Sequence, residues 1–156
     1  MQPAIRLAAA EDLPALADLY RQLNPDDAAT PPNQVAAVSE EILSSKYFEL
    51  IVAEFGGKLV GTCYLNVIPN LTRGARPYAV IENVVVTSDL RNRGIGKALL
   101  RYALARAWER GCYKAMLQTG SKSEAKHRFY RSCGFSQTDK VAFVASPTSP
   151  GGRDVR

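Results

Sequence analysis

Apolar positions along this chain switch between a period of two and a period near 3.6, and the switches mark out its elements. Pro3 to Ala8 reads as a short first strand. Leu13, Leu16, Ala17, Tyr20 and Leu23 then recur at helical spacing, with Asp12 as cap and Pro14 tolerated in the first turn. The segment from Asn24 to Pro32 is rich in breakers and reads as a loop, after which Val35, Val38 and Ile42 give a weaker second helix. Tyr47 to Ala53 and Lys58 to Val67 are β-rich runs joined through Gly56 and Gly57, which supply the positive φ of a tight antiparallel hairpin. Pro69 to Pro77 is a further loop that leads to Tyr78, a candidate wall residue for a substrate. Residues 79–86 are apolar and β-branched apart from Glu82 and Asn83, the pattern of a strand buried on both faces.

A helix is predicted from Gly94 to Arg110, with Gly96, Leu99, Leu100, Ala103 and Ala107 on its buried side and Gly111 ending it. Residues this small allow close approach to a sheet. Cys112 to Thr119 reads as a strand parallel to 79–86 with a right-handed connection. A last helix carries Ala125, Phe129 and Cys133 on one face, stops at Gly134, and precedes a closing strand over Lys140 to Ala145. Ser146 to Arg156 has one apolar residue, Val155, and is expected to be disordered. The fold class is therefore α/β, a mixed sheet flanked by helices, in a single domain over residues 1–145.

At 156 residues and 46% hydrophobic content, the chain can bury one sizeable core. It has no long apolar run and no basic-then-apolar leader, so we expect no membrane span and a cytoplasmic location. Cys63, Cys112 and Cys133 lack paired spacing and read as buried reduced thiols, and no metal is expected. Charge is uneven. Residues 91–131 hold eleven Lys and Arg against two acids, net +9, while the remainder holds nine against thirteen, net −4. A positive half suits a phosphorylated ligand. Nucleic acid is disfavoured because no basic stretch is interleaved with aromatics and no zinc, helix-turn-helix or RNA-recognition signature occurs.

The positive half begins with Arg91-Asn92-Arg93-Gly94-Ile95-Gly96-Lys97, directly between the buried strand and the helix. The first amides of a helix have no internal partner and attract phosphate. A Walker loop is excluded, because it needs glycine where Arg91 stands and Ser or Thr where Ala98 stands; a dinucleotide fingerprint needs glycine at Leu99. An ordinary basic turn stays open on these residues alone. The remaining pattern, Val84-Val85-Val86 followed by Arg91-x-x-Gly94-x-Gly96, resembles the pyrophosphate loop of the GCN5-related N-acetyltransferases, which bind acetyl-CoA. A second motif, Phe129-Tyr130 with Gly134-Phe135, resembles that family's F-Y-x-x-x-G-F signature, and the order of elements follows the family over about residues 3–145.

The resemblance implies that the backbone of Val84, Val85 and Val86 holds pantetheine, and that an amide near Val85 stabilises the thioester oxyanion. It implies that the amides from Asn92 to Lys97, with Arg91, bind the pyrophosphate, so that Asn92, Arg93, Gly94, Ile95, Gly96 and Lys97 all belong to the cofactor set together with Arg131. Tyr130 would protonate the departing thiolate; a core aromatic beside Phe129 is the alternative. Glu82 is the candidate base for the amine, since burial in an apolar strand favours the protonated carboxyl, and a structural ion pair with an Arg is the competing reading. Segments around Ile81 to Val84 and Gly111 to Lys114 look similar to glucosamine-6-phosphate N-acetyltransferases, but Asn83 stands where that group has an acid, and Gln118 to Lys126 lacks its acidic loop. A small amine or amino sugar is favoured over a peptide. A non-catalytic acyl-CoA sensor and a homodimer also stay open.

Overall fold

The computed structural model describes residues 2–147, which leaves most of the tail expected to be disordered, 148–156, outside the described residues. The chain divides into two compact units, Met1–Ser121 and Lys122–Arg156. The first is a five-stranded mixed sheet in the order β1-β2-β3-β4-β5, made of β1 (Ala4–Leu7), β2 (Phe48–Phe55), β3 (Lys58–Ile68), β4 (Tyr78–Val86) and β5 (Ala115–Leu117). The first four strands form an antiparallel meander, and β5 pairs in parallel with β4. Its helices are α1 (Leu13–Leu23), α2 (Pro32–Ser44), the single turn α3 (Thr72–Ala75) and α4 (Ile95–Glu109). Among the described residues, no helix is long and apolar enough to cross a membrane.

The hairpin between β2 and β3 turns on Gly56 and Gly57 at φ 60° and 74°, as their sequence predicts. Strand alternation then sends side chains to two layers of helices. Leu50 and Val52 meet Leu16 of α1 on one face, with Ile42 of α2 packed beside them. On the other face, Arg106 of α4 reaches Glu49. The buried side of α4 is Ile95, Leu99, Leu100, Ala103 and Ala107.

Three details depart from expectation. Asp12 does not cap α1, because its carboxylate is taken by Arg6 at 2.6 and 3.0 Å and by the Ala9 amide at 2.8 Å. The buried stripe of α1 runs through Leu16 and Leu19, while Ala17 is exposed. The closing strand is absent: residues 140–147 have no regular structure, and Val141, Phe143 and Val144 are 80%, 93% and 79% exposed. β-branched and aromatic residues favour a strand only where a neighbour pairs with it, and among the described residues none does.

The second unit holds α5 (Glu124–Ser132), which ends at Gly134 with φ 97°. All three cysteines are buried, and burial pushes the Cys63 thiol up to about 12.

Two carboxylates of the sheet unit set a pH dependence. Hydrogen bonds from Arg106 hold Glu49 below the usual carboxylate range, and those from Arg6 do the same for Asp12. The unfolded chain therefore binds more protons in acid, so this stabilisation is complete above the unfolded carboxylate values of about 4 and is lost as pH falls through the folded ones. Thermal melts should show a level midpoint from pH 8 to about 5 and a falling one below. A midpoint unchanged at pH 3 contradicts it.

Candidate active site

Strand β4 changes character halfway along its length. Up to Ile81 it is paired on both sides, with β3 and, through Ala79↔Ala115, Val80↔Met116 and Ile81↔Leu117, with β5. Beyond Ile81 the β5 pairing stops. On the β3 side, Tyr64 pairs with Glu82 and Thr62 with Val85, so Asn83 and Val84 stand together opposite the single Cys63. This is a β-bulge, and Asn83 accommodates it at φ 52°. Asn enters the left-handed region at less cost than other non-glycine residues, so it is the residue type suited to that position.

The bulge overturns one expectation. The apolar pattern of residues 79–86 predicts burial on both faces, yet Glu82 and Asn83 are exposed, because the extra residue turns them out where β5 no longer covers the strand. Glu82 has no ion pair among the described residues, which removes the competing reading of a structural pair with Arg. Val85 is 5% exposed, while Val84 and Val86 are half-buried along the open edge.

The basic loop continues directly from that edge. Arg91 folds back and donates from Nε to the Val86 carbonyl at 3.1 Å, which closes the turn. Asn92 and Gly94 both take positive φ, 62° and 81°, and Gly94 is the N-cap of α4, whose first bond runs from the Ala98 amide to the Gly94 carbonyl at 3.0 Å. The amides of Ile95, Gly96 and Lys97 thus have no partner within the helix. Arg91, Asn92 and Arg93 are exposed, Gly96 and Lys97 are half-buried, and Ile95 anchors the turn with a side chain only 2% exposed. The arrangement can receive an anion on backbone donors with cations around it.

Gly94→Val forces a β-branched residue into the left-handed region. We expect the Kd for a phosphorylated ligand, read by titration with CoA, to rise by about tenfold, since the loss falls on ground-state binding. An unchanged Kd removes the loop from anion binding.

A glycine the sequence reading did not single out, Gly61, sets how close α4 lies. A Cβ there would stand 3.0 Å from the Val85 carbonyl oxygen, 3.1 Å from Leu99 Cδ1 and 3.3 Å from Val86 Cγ2. The small residue that brings helix and strand together therefore lies on β3. A glycine inside an otherwise apolar strand was the available signal.

In the second unit, Tyr130 is half-buried against Phe129, with ring centroids 5.1 Å apart, and meets the edge of Phe135 at 6.5 Å. Burial, and then the nearby Cys133, push its phenol above the ordinary tyrosine value, which keeps it protonated at neutral pH. Arg131 is exposed and ion-paired with Glu124, and it donates to Gln137 Oε1 at 2.7 Å. Among the described residues, no three His, Cys, Asp or Glu side chains gather as metal ligands would.

The sequence profile of the acetyltransferase (GNAT) family matches residues 13–135. The chain belongs to that family. A solved structure of an Agrobacterium tumefaciens chain assigned as an acetyltransferase is 42% identical, covers 92% of this chain and 99% of that one, and superposes with a TM-score of 0.85. An aminoglycoside N(6')-acetyltransferase type 1 from Stenotrophomonas maltophilia is 26% identical over 152 residues, 95% of each chain. A glucosamine 6-phosphate N-acetyltransferase from Trypanosoma brucei brucei is 39% identical over 79 residues, 51% of this chain, and the match spans about half of that protein, 52%. This GNAT protein is an acetyl-CoA-dependent N-acetyltransferase with a mixed α/β GNAT fold. Acetyl-CoA is the co-substrate typical of the family.

Proposed function

We propose that this GNAT enzyme moves the acetyl group of acetyl-CoA directly to a primary amine in a ternary complex, with a small amine or amino sugar as acceptor. The observation that carries it is the β4 edge, freed of its neighbour beyond Ile81 and followed, after the short turn Ser88–Leu90, by the open amides at Gly94. Bound acetyl-CoA supplies a thioester carbonyl and a thiolate leaving group.

The backbone from Val84 to Val86 binds the pantetheine arm as an added strand would. Arg91, Asn92, Arg93 and the amides through Lys97 bind the pyrophosphate, and the family likeness assigns Arg131 to the same cofactor set. An amide near Val85 donates to the thioester oxygen as negative charge develops there; a donor of this kind supplies about 3 kcal/mol in other acyl transfers. Glu82, exposed at the bulge, takes the proton of the attacking amine. Tyr130 gives its phenolic proton to the sulfur, so one proton enters the protein at Glu82 as one leaves at Tyr130.

Thiol release from acetyl-CoA across amines, amino sugars and peptides tests this reading. Release with an amine, in step with N-acetylated product, is expected. Acetyl-CoA affinity without release for any acceptor would instead make the chain a sensor.

A further inference from the structure

The carboxylates of this chain fall into two groups. Asp12, Asp18, Glu49, Glu54, Glu109 and Glu124 each have an arginine partner. Among the described residues, Glu41 on α2 and Glu82 on β4 are among those that have none, together with Glu11, Asp26, Asp27, Glu40, Asp89 and Asp139, although the chain carries 20 Lys and Arg against 15 Asp and Glu. From Gln22 to Ser45, the segment that forms the end of α1, its loop and α2, there are four acids and no Lys or Arg. The cations have been spent on the cofactor side.

Tyr64 on β3 stands beside Glu82 and within electrostatic reach of Glu41. It pairs in register with Glu82, so the two side chains share a face about 5 Å apart. It also packs in the apolar cluster with Ile42, the neighbour of Glu41, and its ring is held edge-on by Phe48 at 5.9 Å. Burial first, and then the charge of Glu41, push the Tyr64 phenol upward, which places Glu41 within electrostatic reach of the ring. Among the described residues, the cations that lie over aromatic rings sit on Tyr47, Tyr78 and Tyr113, not on Tyr64. β3 and β4 thus bring one aromatic ring and one unpaired carboxylate together beside the open β4 edge, with Glu41 of α2 in electrostatic reach of the ring.

We propose that the acceptor carries at least one further ammonium group, which Tyr64 and Glu41 hold while Glu82 receives the reacting nitrogen, so that polycationic amines are acetylated in preference to monoamines and phosphorylated amines. This rests on the transfer reading above. An aromatic ring beside a carboxylate attracts an ammonium ion, and two carboxylates without an ion-pair partner repel a phosphate. The spacing asks for amines separated by about 5 Å or more, as in a diamine of four or more carbons or a diamino sugar.

The test measures thiol release at saturating acetyl-CoA with spermidine, n-butylamine, glucosamine and glucosamine 6-phosphate. We expect kcat/KM for spermidine to exceed that for n-butylamine by about tenfold, and glucosamine to exceed its 6-phosphate. Glu41→Gln should raise KM for spermidine by about tenfold and leave both KM for n-butylamine and the Kd for acetyl-CoA unchanged. Tyr64→Phe should retain the preference and Tyr64→Leu lose it. Preference for glucosamine 6-phosphate, or a spermidine KM indifferent to Glu41→Gln, overturns the proposal while leaving acetyl transfer intact. Absence of release with every acceptor overturns the transfer reading instead. Calorimetric titration of spermidine into the protein bound to CoA, which has no acetyl group to transfer, then decides the seat by itself: binding that Glu41→Gln abolishes supports it, and no binding overturns it.

Discussion

Tyr130→Phe is expected to lower kcat by about 100-fold or more while the Kd for acetyl-CoA stays within twofold, as befits loss of a general acid. The substitution removes only the hydroxyl. The ring contacts with Phe129 and Phe135 do not need it, so α5 and the chain around Gly134 should keep their packing. What disappears is the proton for the departing sulfur. The wild-type phenol, raised by burial, is still protonated well above neutral pH, so activity should hold on the alkaline side until the phenol ionises. That alkaline limb should be missing from the variant. Thiol release measured from pH 6 to 10.5, with calorimetry for acetyl-CoA, checks both statements; a wild-type rate would return Tyr130 to the role of a core aromatic.

The largest expected loss of stability lies at the other end of α4. Glu49 is 8% exposed and accepts two hydrogen bonds from Arg106, from Nε at 2.9 Å and from Nη2 at 2.7 Å, and a third from Arg110 Nη1 at 3.0 Å. Arg110 also donates to the Lys46 carbonyl. The two arginines are one helical turn apart, so a single face of α4 is fastened to the start of β2. Changing both to Met leaves a buried carboxylate without a partner, and urea unfolding should show a loss of about 3–5 kcal/mol. Adding Glu49→Leu removes the orphaned charge and should recover most of it. If the double variant is as stable as the parent, the cluster is not what holds α4 down. If the triple variant is no better than the double, the loss came from the arginine stems covering apolar surface.

The two arginines illustrate what was hidden in the sequence. Arg106 and Glu109 were legible as the polar side of a helix, but the partner of Arg106 lies 57 residues away on β2. No periodicity reports such a pairing, since it depends on which strand the helix crosses. Leu19 was likewise missed because a helical stripe drawn through Ala17 fits the spacing equally well, and only the sheet decides which side is covered. The segment 140–145 shows the reverse: its composition favours a strand, but strand formation needs a partner edge.

For the site, local chemistry carried further. Two glycines and three cations after an apolar strand specify a phosphate-binding helix start, because positive φ at Gly94 and unpaired first-turn amides are properties of a few consecutive residues. The F-Y and G-F pairs around Tyr130 are local in the same sense, and they carried the family likeness that the profile match bears out. The β4 bulge was not legible, because it arises from the mismatch between Glu82–Val85 and Tyr64–Thr62 on a different strand. Its consequence is that Glu82 faces outward, where its sequence context had placed it inside.

By itself, then, the sequence determined the order of elements, the hairpin at Gly56–Gly57 and the anion-binding start of α4, all set by short-range backbone preferences. Only the tertiary structure decided that β4 parts from β5 beyond Ile81, that Gly61 lets α4 close on the strand, and that Tyr64 stands opposite Glu82. These depend on register and contact between residues distant in the chain, which a linear pattern does not encode.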